Sequence, residues 1–277
     1  MQKNHELTSS VITRANSLPY IHSQMVLPDS VTGIAAEAFM KRNCIESIHM
    51  PMHLQRIGLR AFSGCFGLTS VRIPISTVVI EPEAFSRCLS LEKVSLPASL
   101  SVLPASIFSE DTALQSLTFR GTAHMKRIDE MACYGCRSLS TVTLPSTVQT
   151  IETQAFYGCK SLEEIQLPAS LTEIGEKAFS TCGLVHIKLP DGLEYLGDSA
   201  FFHNKHLTSV YIPSSVRHLG RYVFHGCNRL KVIELRHDPK YIGPWIINKA
   251  TTVRCYKGSA VDAYCRRNDF KTEYFSE

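Results

Sequence analysis

The sequence predicts an α/β solenoid in which stacked turns of about 23 residues each contribute one short β-strand. Three observations lead to this fold class. A pattern of about 23 residues recurs through most of the chain, each repeat begins with alternating apolar residues, and a proline follows that alternation in nearly every repeat. Because so short a unit cannot bury its own apolar side chains, neighbouring units must stack and share a continuous core.

The repeat is clearest in three consecutive segments. They are VTLPSTVQTIETQAFYGCKSLEE from Val142, IQLPASLTEIGEKAFSTCGLVH from Ile165 and IKLPDGLEYLGDSAFFHNKHLTS from Ile187, with 23, 22 and 23 residues. The same register starts further turns at Met25, Ile48, Val71, Val94, Leu117, Val210 and Ile233. This gives nine turns and a partial last one. The turn from Leu117 is two residues longer, which predicts a bulge or a longer loop in GTAHMKR.

Each column of the repeat has a structural reason. The alternating start, as in Val142 and Leu144, predicts a strand. The following proline, as at Pro145, ends strand pairing because it has no N–H. An apolar column through Ile151 and Ile174 comes next, then an Ala-Phe pair, a Gly-Cys pair and a closing leucine. Stacking converts these columns into interior rows of Leu, Ile, Phe and Cys.

The pattern LPxSLxxIGxxAFxGCxxL resembles the BspA-type leucine-rich repeat family from about Met25 to Leu235. The resemblance implies a right-handed solenoid with a concave parallel sheet and turns or short helical segments on the convex side. We expect residues 1–24 to form an N-terminal cap or a partly disordered segment, residues 25–249 the repeats, and residues 250–277 a C-terminal cap. In this last cap, residues 251–256 predict a strand and residues 259–270 a helix with Ser259 at its N-cap.

Cys133 and Cys136 form a Cys-x-x-Cys pair, a spacing found in zinc and redox sites. In the repeat register, however, Cys136 belongs to the cysteine column and Cys133 stands in the phenylalanine column. Buried packing is therefore the favoured interpretation, with zinc binding and redox chemistry as alternatives. A disulfide between Cys255 and Cys265, at the predicted C-terminal cap, stays open.

Other signals of chemistry are weak. The sequence has no phosphate-binding, dinucleotide-binding or nucleophile motif, so we predict no enzymatic activity, no cofactor and no metal. His203 and His206 have the spacing of metal ligands, but the repeat places them in an exposed loop. The net charge of +4 is scattered, which disfavours nucleic-acid binding. No apolar stretch reaches the length that a membrane span needs.

Function is therefore predicted to lie on a surface, and the outward strand positions are the candidates. They are polar, rich in Ser and Thr, and weakly basic. We predict a non-catalytic scaffold that binds a partner protein through its concave sheet, with contacts at Arg72, Lys93, His186, Lys188 and Tyr211. The alternative, which the family resemblance implies, is a cell-surface adhesin-type protein that recognises a host protein or glycan.

The first twenty residues, MQKNHELTSSVITRANSLPY, lack the apolar core of a secretory signal. A cytoplasmic location is expected if Met1 is the native start. A cell-surface or secreted location is expected if a leader has been removed. The sequence leaves the identity of the partner and the oligomeric state open.

Overall fold

The computed structural model describes residues 10–276. Residues 1–9, which belong to the predicted N-terminal cap, lie outside the described residues. In chain order the strands are β1 Val11–Ile12, β2 Gln24–Val26, β3 Gly33–Ile34, β4 Ser47–His49, β5 Arg56–Ile57, β6 Ser70–Arg72, β7 Val79–Ile80, β8 Lys93–Pro97, β9 Val102–Leu103, β10 Ser116–Arg120, β11 Arg127–Ile128, β12 Thr141–Val142, β13 Thr150–Ile151, β14 Glu173–Ile174, β15 Tyr195–Leu196, β16 Ser209–Ile212, β17 His218–Leu219, β18 Val232–Leu235, β19 Tyr241–Ile242, β20 Thr252–Cys255 and β21 Lys271–Tyr274. Within the described residues the helical elements are a 3-10 turn, Leu18–Tyr20, and one α-helix, α1 Ala260–Asn268.

The predicted strand column forms a parallel ladder, which we call the first ladder. It contains a six-stranded sheet from β2 to β12 and a four-stranded sheet of β16, β18, β20 and β21. Val71 pairs with Val94, and Val94 pairs with Leu117, so each strand pairs with its equivalent one repeat further along the chain. This register confirms the predicted solenoid of stacked turns with about 23 residues each.

A second ladder, which the sequence analysis did not predict, runs along another side of the turns. Its strands have two residues each and coincide with the apolar column of Ile151 and Ile174. They form sheets of four and seven strands, one strand for each of eleven turns. The first of these turns begins upstream of Met25, because β1 pairs with β3.

The second ladder is interrupted between β7 and β9, where Pro104 follows the apolar column. In neighbouring turns the residue after the apolar column donates its N–H to the previous turn, as Glu81 N does to Ile57 O over 2.9 Å. Pro104 occupies this position and has no N–H to donate. Bonds from Ser101 N and Val102 N to the preceding turn are absent as well, so Pro104 accounts for one of the missing bonds.

The core is a set of interior rows, as the repeat predicts. Phenylalanine rings stack from turn to turn, with centroids 5.2 Å apart for both Phe62–Phe85 and Phe156–Phe179. Cys133 stands between the two halves of this row and is fully buried. Each turn thus contributes the same few apolar side chains to one continuous hydrophobic interior.

The bends use backbone conformations that favour glycine. The glycine of the Gly-Cys pair has a positive φ, for example +71° at Gly135 and +75° at Gly158. Thr181 adopts a φ of 56° at the equivalent position of a later turn, although it is β-branched. The glycine column therefore reflects a left-handed backbone position and not a ligand-binding loop.

The C-terminal end of the described chain contains β20, α1 and β21. Ser259 Oγ accepts from Asp262 N over 3.1 Å, which caps α1 as expected. The predicted terminal strand is β20, but the chain then continues into β21, which pairs with β20 and becomes the edge of the sheet. The predicted longer loop is also present, as an irregular segment between β10 and β11 in which Gly121 has a φ of +86°.

The first ladder opens in the middle of the molecule. No strand of this ladder is assigned in residues 143–208, so the six-stranded and four-stranded sheets are separate. The second ladder continues past the same turns through β13, β14 and β15. The turns therefore stay stacked there, and only the backbone pairing of the first ladder is interrupted.

Candidate functional site

The Cys-x-x-Cys pair lies inside the core. Cys133 and Cys136 are fully buried, and Cys136 Sγ donates to Phe108 O over 3.0 Å. The same bond recurs one turn later, where Cys159 Sγ donates to Cys133 O over 3.3 Å. These thiols satisfy backbone carbonyl groups of the preceding bend, which confirms the packing interpretation of the pair.

Burial also makes the thiols of this row poor nucleophiles. It raises the pKa of Cys65 and Cys227 to about 12, and it raises the pKa of Cys136 well above its ordinary value. Because the thiolate is the form that attacks substrates and binds metals, the row is unsuited to both tasks at neutral pH. Cys255 and Cys265, for which a disulfide was left open, are buried free thiols in the structure.

The histidine pair of the exposed loop is not part of a metal-ligand cluster. The His203 ring stacks on Phe202 with centroids 4.0 Å apart, and burial lowers its pKa. Across residues 10–276, no group of three or more His, Cys, Asp or Glu side chains is placed to hold a metal ion. Nor does this part of the chain contain a helix that is long and apolar enough to cross a membrane.

The outward side chains of the first ladder and of the equivalent positions in its gap form a surface that we call the strand face. All five predicted contact residues are exposed on it. Arg72 and Lys93 lie on neighbouring strands, β6 and β8. His186 and Lys188 lie in the gap, and Tyr211 lies on β16. Arg72 and Lys188 are five turns apart, a separation of about 24 Å at ~4.8 Å per strand.

The predicted contact residues thus form two groups, one on β6 and β8 and one from the gap to β16. None of the five forms an ion pair or a side-chain hydrogen bond with another described residue. Some arginines of the turn-forming side are ion-paired, as in Arg60–Glu83 and Arg87–Glu110, and on the strand face Arg254 pairs with Glu234, each with an N–O distance of 2.7 Å. The unpaired polar groups of the strand face are thus free to meet a partner.

Arg120 is a residue of this face that the sequence analysis missed. Its guanidinium donates to Ser95 Oγ and to Ile73 O, each over 2.6 Å. Burial and the nearby Arg72 lower its pKa. Arg120 stands where most turns have the proline after the strand, so the break in the proline column was the available signal.

Comparison with known families identifies the repeat. The model described as BspA type leucine rich repeat region matches six copies, over residues 21–130 and 126–254. The chain belongs to the BspA-type leucine-rich repeat family. No curated protein matches the chain.

Several solved structures share the fold of this BspA-type chain. A leucine-rich repeat protein from Eubacterium ventriosum has a TM-score of 0.56 and 24% identity over 60% of this chain and 44% of that one. Pneumococcal vaccine antigen PcpA has a TM-score of 0.51 and 18% identity, over 92% of this chain and 79% of that one. A leucine rich cell surface protein from Faecalibacterium prausnitzii has a TM-score of 0.50 and 22% identity over the same shares. At these identities the likeness establishes the solenoid fold alone.

Proposed function

We propose that this BspA-type leucine-rich repeat chain is a non-catalytic scaffold that binds a partner protein through its strand face. The observation that carries the proposal is a set of exposed cations on the strand face without ion-pair partners. Arg72, Lys93 and Lys188 have no ion-pair partner among the described residues, whereas Arg254, further along the same face, pairs with Glu234. A rigid surface with unpaired cations suits a partner that presents acidic groups.

The five predicted residues have different roles in this proposal. Arg72 and Lys93 attract and orient the acidic partner from one sheet, and His186 and Lys188 do so about 24 Å away. Tyr211 is 45% exposed and supplies the aromatic anchor beside the second group. Because the two groups are separated, the partner must be large enough to span several turns.

A charge-reversal experiment tests the proposal. The double variant Arg72→Glu with Lys188→Glu is compared with a control, Lys160→Glu with Arg217→Glu, which changes the net charge equally at exposed positions away from the strand face. Proteins captured by the immobilised wild-type chain should be lost with the strand-face variant and kept with the control. If every captured protein binds the strand-face variant as well as the wild type, the strand face is not the binding surface.

A cell-surface role in recognising a host protein or glycan stays the second proposal. Among the proteins that share the fold, one is described as a cell surface protein and one as a vaccine antigen. A glycan array probed with the wild-type chain and with the strand-face variant separates the two ideas. Glycan binding that the charge reversal removes would favour this second role.

A further inference from the structure

The split in the first ladder leaves backbone groups without partners. The turns at residues 164–168 and 186–190 follow the strand pattern in sequence, yet neither is hydrogen-bonded to its neighbours across these residues. The amides and carbonyls of Gln166, Leu167 and Lys188 are among these unpaired groups. Backbone groups of this kind are nearly always satisfied in proteins, by water when nothing else is present.

The opening has definite ends. Before it, Val185 N donates to Glu163 O over 3.0 Å. After it, Thr172 N donates to Gln149 O over 2.9 Å, and Glu194 N donates to Thr172 O over 2.8 Å. These ends enclose eight residues in each turn, 164–171 and 186–193. The strand positions among them, 164–168 and 186–190, are five residues long, or roughly 17 Å at ~3.3 Å per residue. This is the length of a short extended peptide.

The opening also exposes part of the core. The third strand position is fully buried in the paired turns of Ile73 and Ile212, with exposures of 0% for both, although Phe119 in β10 is only partly buried. In the opening, Leu167 at this position and Ile187 at the first strand position of the next turn are also only partly buried. These two side chains leave apolar surface accessible between the two turns.

These features form a groove of about 590 Å³ on the strand face. Ile165, Leu167 and Ile187 line its apolar part. Glu164 lies on one rim, and His186 and Lys188 on the other. None of these three polar side chains has an ion-pair partner in the part of the chain that the structure describes.

We propose that this groove binds an extended segment of the partner protein, a segment that combines apolar with acidic side chains. Its backbone N–H and C=O groups meet the unpaired groups of residues 165–167 and 187–189. Alternate side chains reach the apolar floor, because successive residues of an extended chain point to opposite sides. An acidic side chain on the segment complements Lys188 and His186. The inference rests on the proposed function and names the part of the partner that the strand face recognises.

Peptide selection on the full chain provides the probe. Random phage-displayed peptides of about twelve residues, which are long enough to cover the opening, are selected on the immobilised protein. We expect apolar–acidic sequences that slow amide exchange of residues 164–167 and 186–189 and leave exchange elsewhere unchanged. Peptides that slow amide exchange only in another region would show that the groove binds no extended segment. A selection that yields no binding peptide would show the same.

Two variants test the contacts of the selected peptides. Gln166→Pro removes an unpaired N–H without breaking an existing hydrogen bond, and Lys188→Glu reverses the rim charge. Each should weaken peptide binding at least about tenfold. Gln166→Ala keeps the backbone N–H and separates the loss of the side chain from the loss of the N–H. Arg217→Glu, at an exposed position away from the strand face, is the control and should change affinity by no more than about twofold.

Unchanged affinity in both test variants would overturn the groove proposal. Lys188→Glu keeps the test decisive if Gln166→Pro does not fold, because Lys188 is exposed and its side chain makes no contact that folding requires. Partner capture that needs Arg72 but is insensitive to Gln166→Pro would leave the proposed function standing while the groove proposal fails.

Discussion

Asp111 occupies the cysteine column of its turn with a fully buried carboxyl group. Its Oδ1 accepts from Cys88 N over 2.8 Å, and its Oδ2 has no hydrogen-bond partner. In another turn Cys65 N donates to Phe62 O over 3.1 Å, but the equivalent acceptor, Phe85 O, receives no donor from the described backbone. A protonated Asp111 would satisfy both orphan atoms if its Oδ2–H donated to Phe85 O.

The pKa of Asp111 points in the same direction. Burial raises it well above its ordinary value, and the neighbouring Cys136 adds to this effect. Between the unfolded pKa of about 3.9 and the raised folded pKa, the folded protein binds one more proton than the unfolded chain. The contribution of Asp111 to stability is therefore complete below about pH 4. It decreases by about 1.4 kcal/mol per pH unit as the pH rises towards the folded pKa.

Replacing Asp111 by asparagine should remove this penalty. Asn204 occupies the same column two turns after Cys159. Its Nδ2 donates to Phe179 O and to Phe201 O, each over 2.8 Å. An amide at position 111 can donate from Nδ2 to Phe85 O while its Oδ1 accepts from Cys88 N, as Asp111 Oδ1 does. It then takes up no proton and leaves no orphan atom, unlike Asn204, whose Oδ1 has no partner. We expect Asp111→Asn to raise the free energy of unfolding at pH 7 by about 1–3 kcal/mol, the cost of an unsatisfied buried polar atom.

Urea denaturation followed by circular dichroism measures this effect between about pH 4 and pH 8. The advantage of Asp111→Asn over the wild type should grow as the pH rises. Asn204→Asp is the reciprocal control, and it should make the protein less stable with rising pH. The reasoning fails if Asp111→Asn lowers stability at pH 7, or if its effect is the same at both ends of the range.

Three further predictions test the core, the bends and the thiols. Phe179→Ala should lower the free energy of unfolding by about 3–5 kcal/mol, because it removes a fully buried ring from the stacked row, as urea denaturation would show. Thr181→Gly should raise it by about 0.4–1 kcal/mol, since Thr181 has a φ of 56°; an unchanged or lower melting temperature would contradict this. A thiol reagent at pH 7 should modify Cys44 rapidly in the native protein and all ten cysteines after denaturation.

Much of the fold could be predicted because each structural requirement recurs in many turns. The register that pairs Val71 with Val94 follows from the spacing of the apolar columns, and the role of Cys133 follows from its place in the phenylalanine column. The second ladder could not be predicted, because two residues are too few to show strand alternation. Pro104 lies at its interruption, and the missing N–H of this residue matters only once that ladder is known.

The strand face was predictable in part. Alternation along each strand correctly placed Arg72, Lys93 and Tyr211 outwards. The opening between Gln166 and Lys188 was not predictable, because Ile-Gln-Leu and Ile-Lys-Leu have the same polarity pattern as the paired strands.

The individual properties of this chain arise at residues that depart from the repeat pattern. Arg120 and Arg236 both stand where most turns have a proline, and each uses its guanidinium differently. Arg120 donates to Ile73 O, two turns earlier in the stack, whereas Arg236 lies 4.4 Å from the centroid of the Phe275 ring. A residue that recurs in every turn must serve stacking, because its environment recurs as well. A residue that breaks the column has an environment of its own, and so a search for specificity in this chain should begin with such residues.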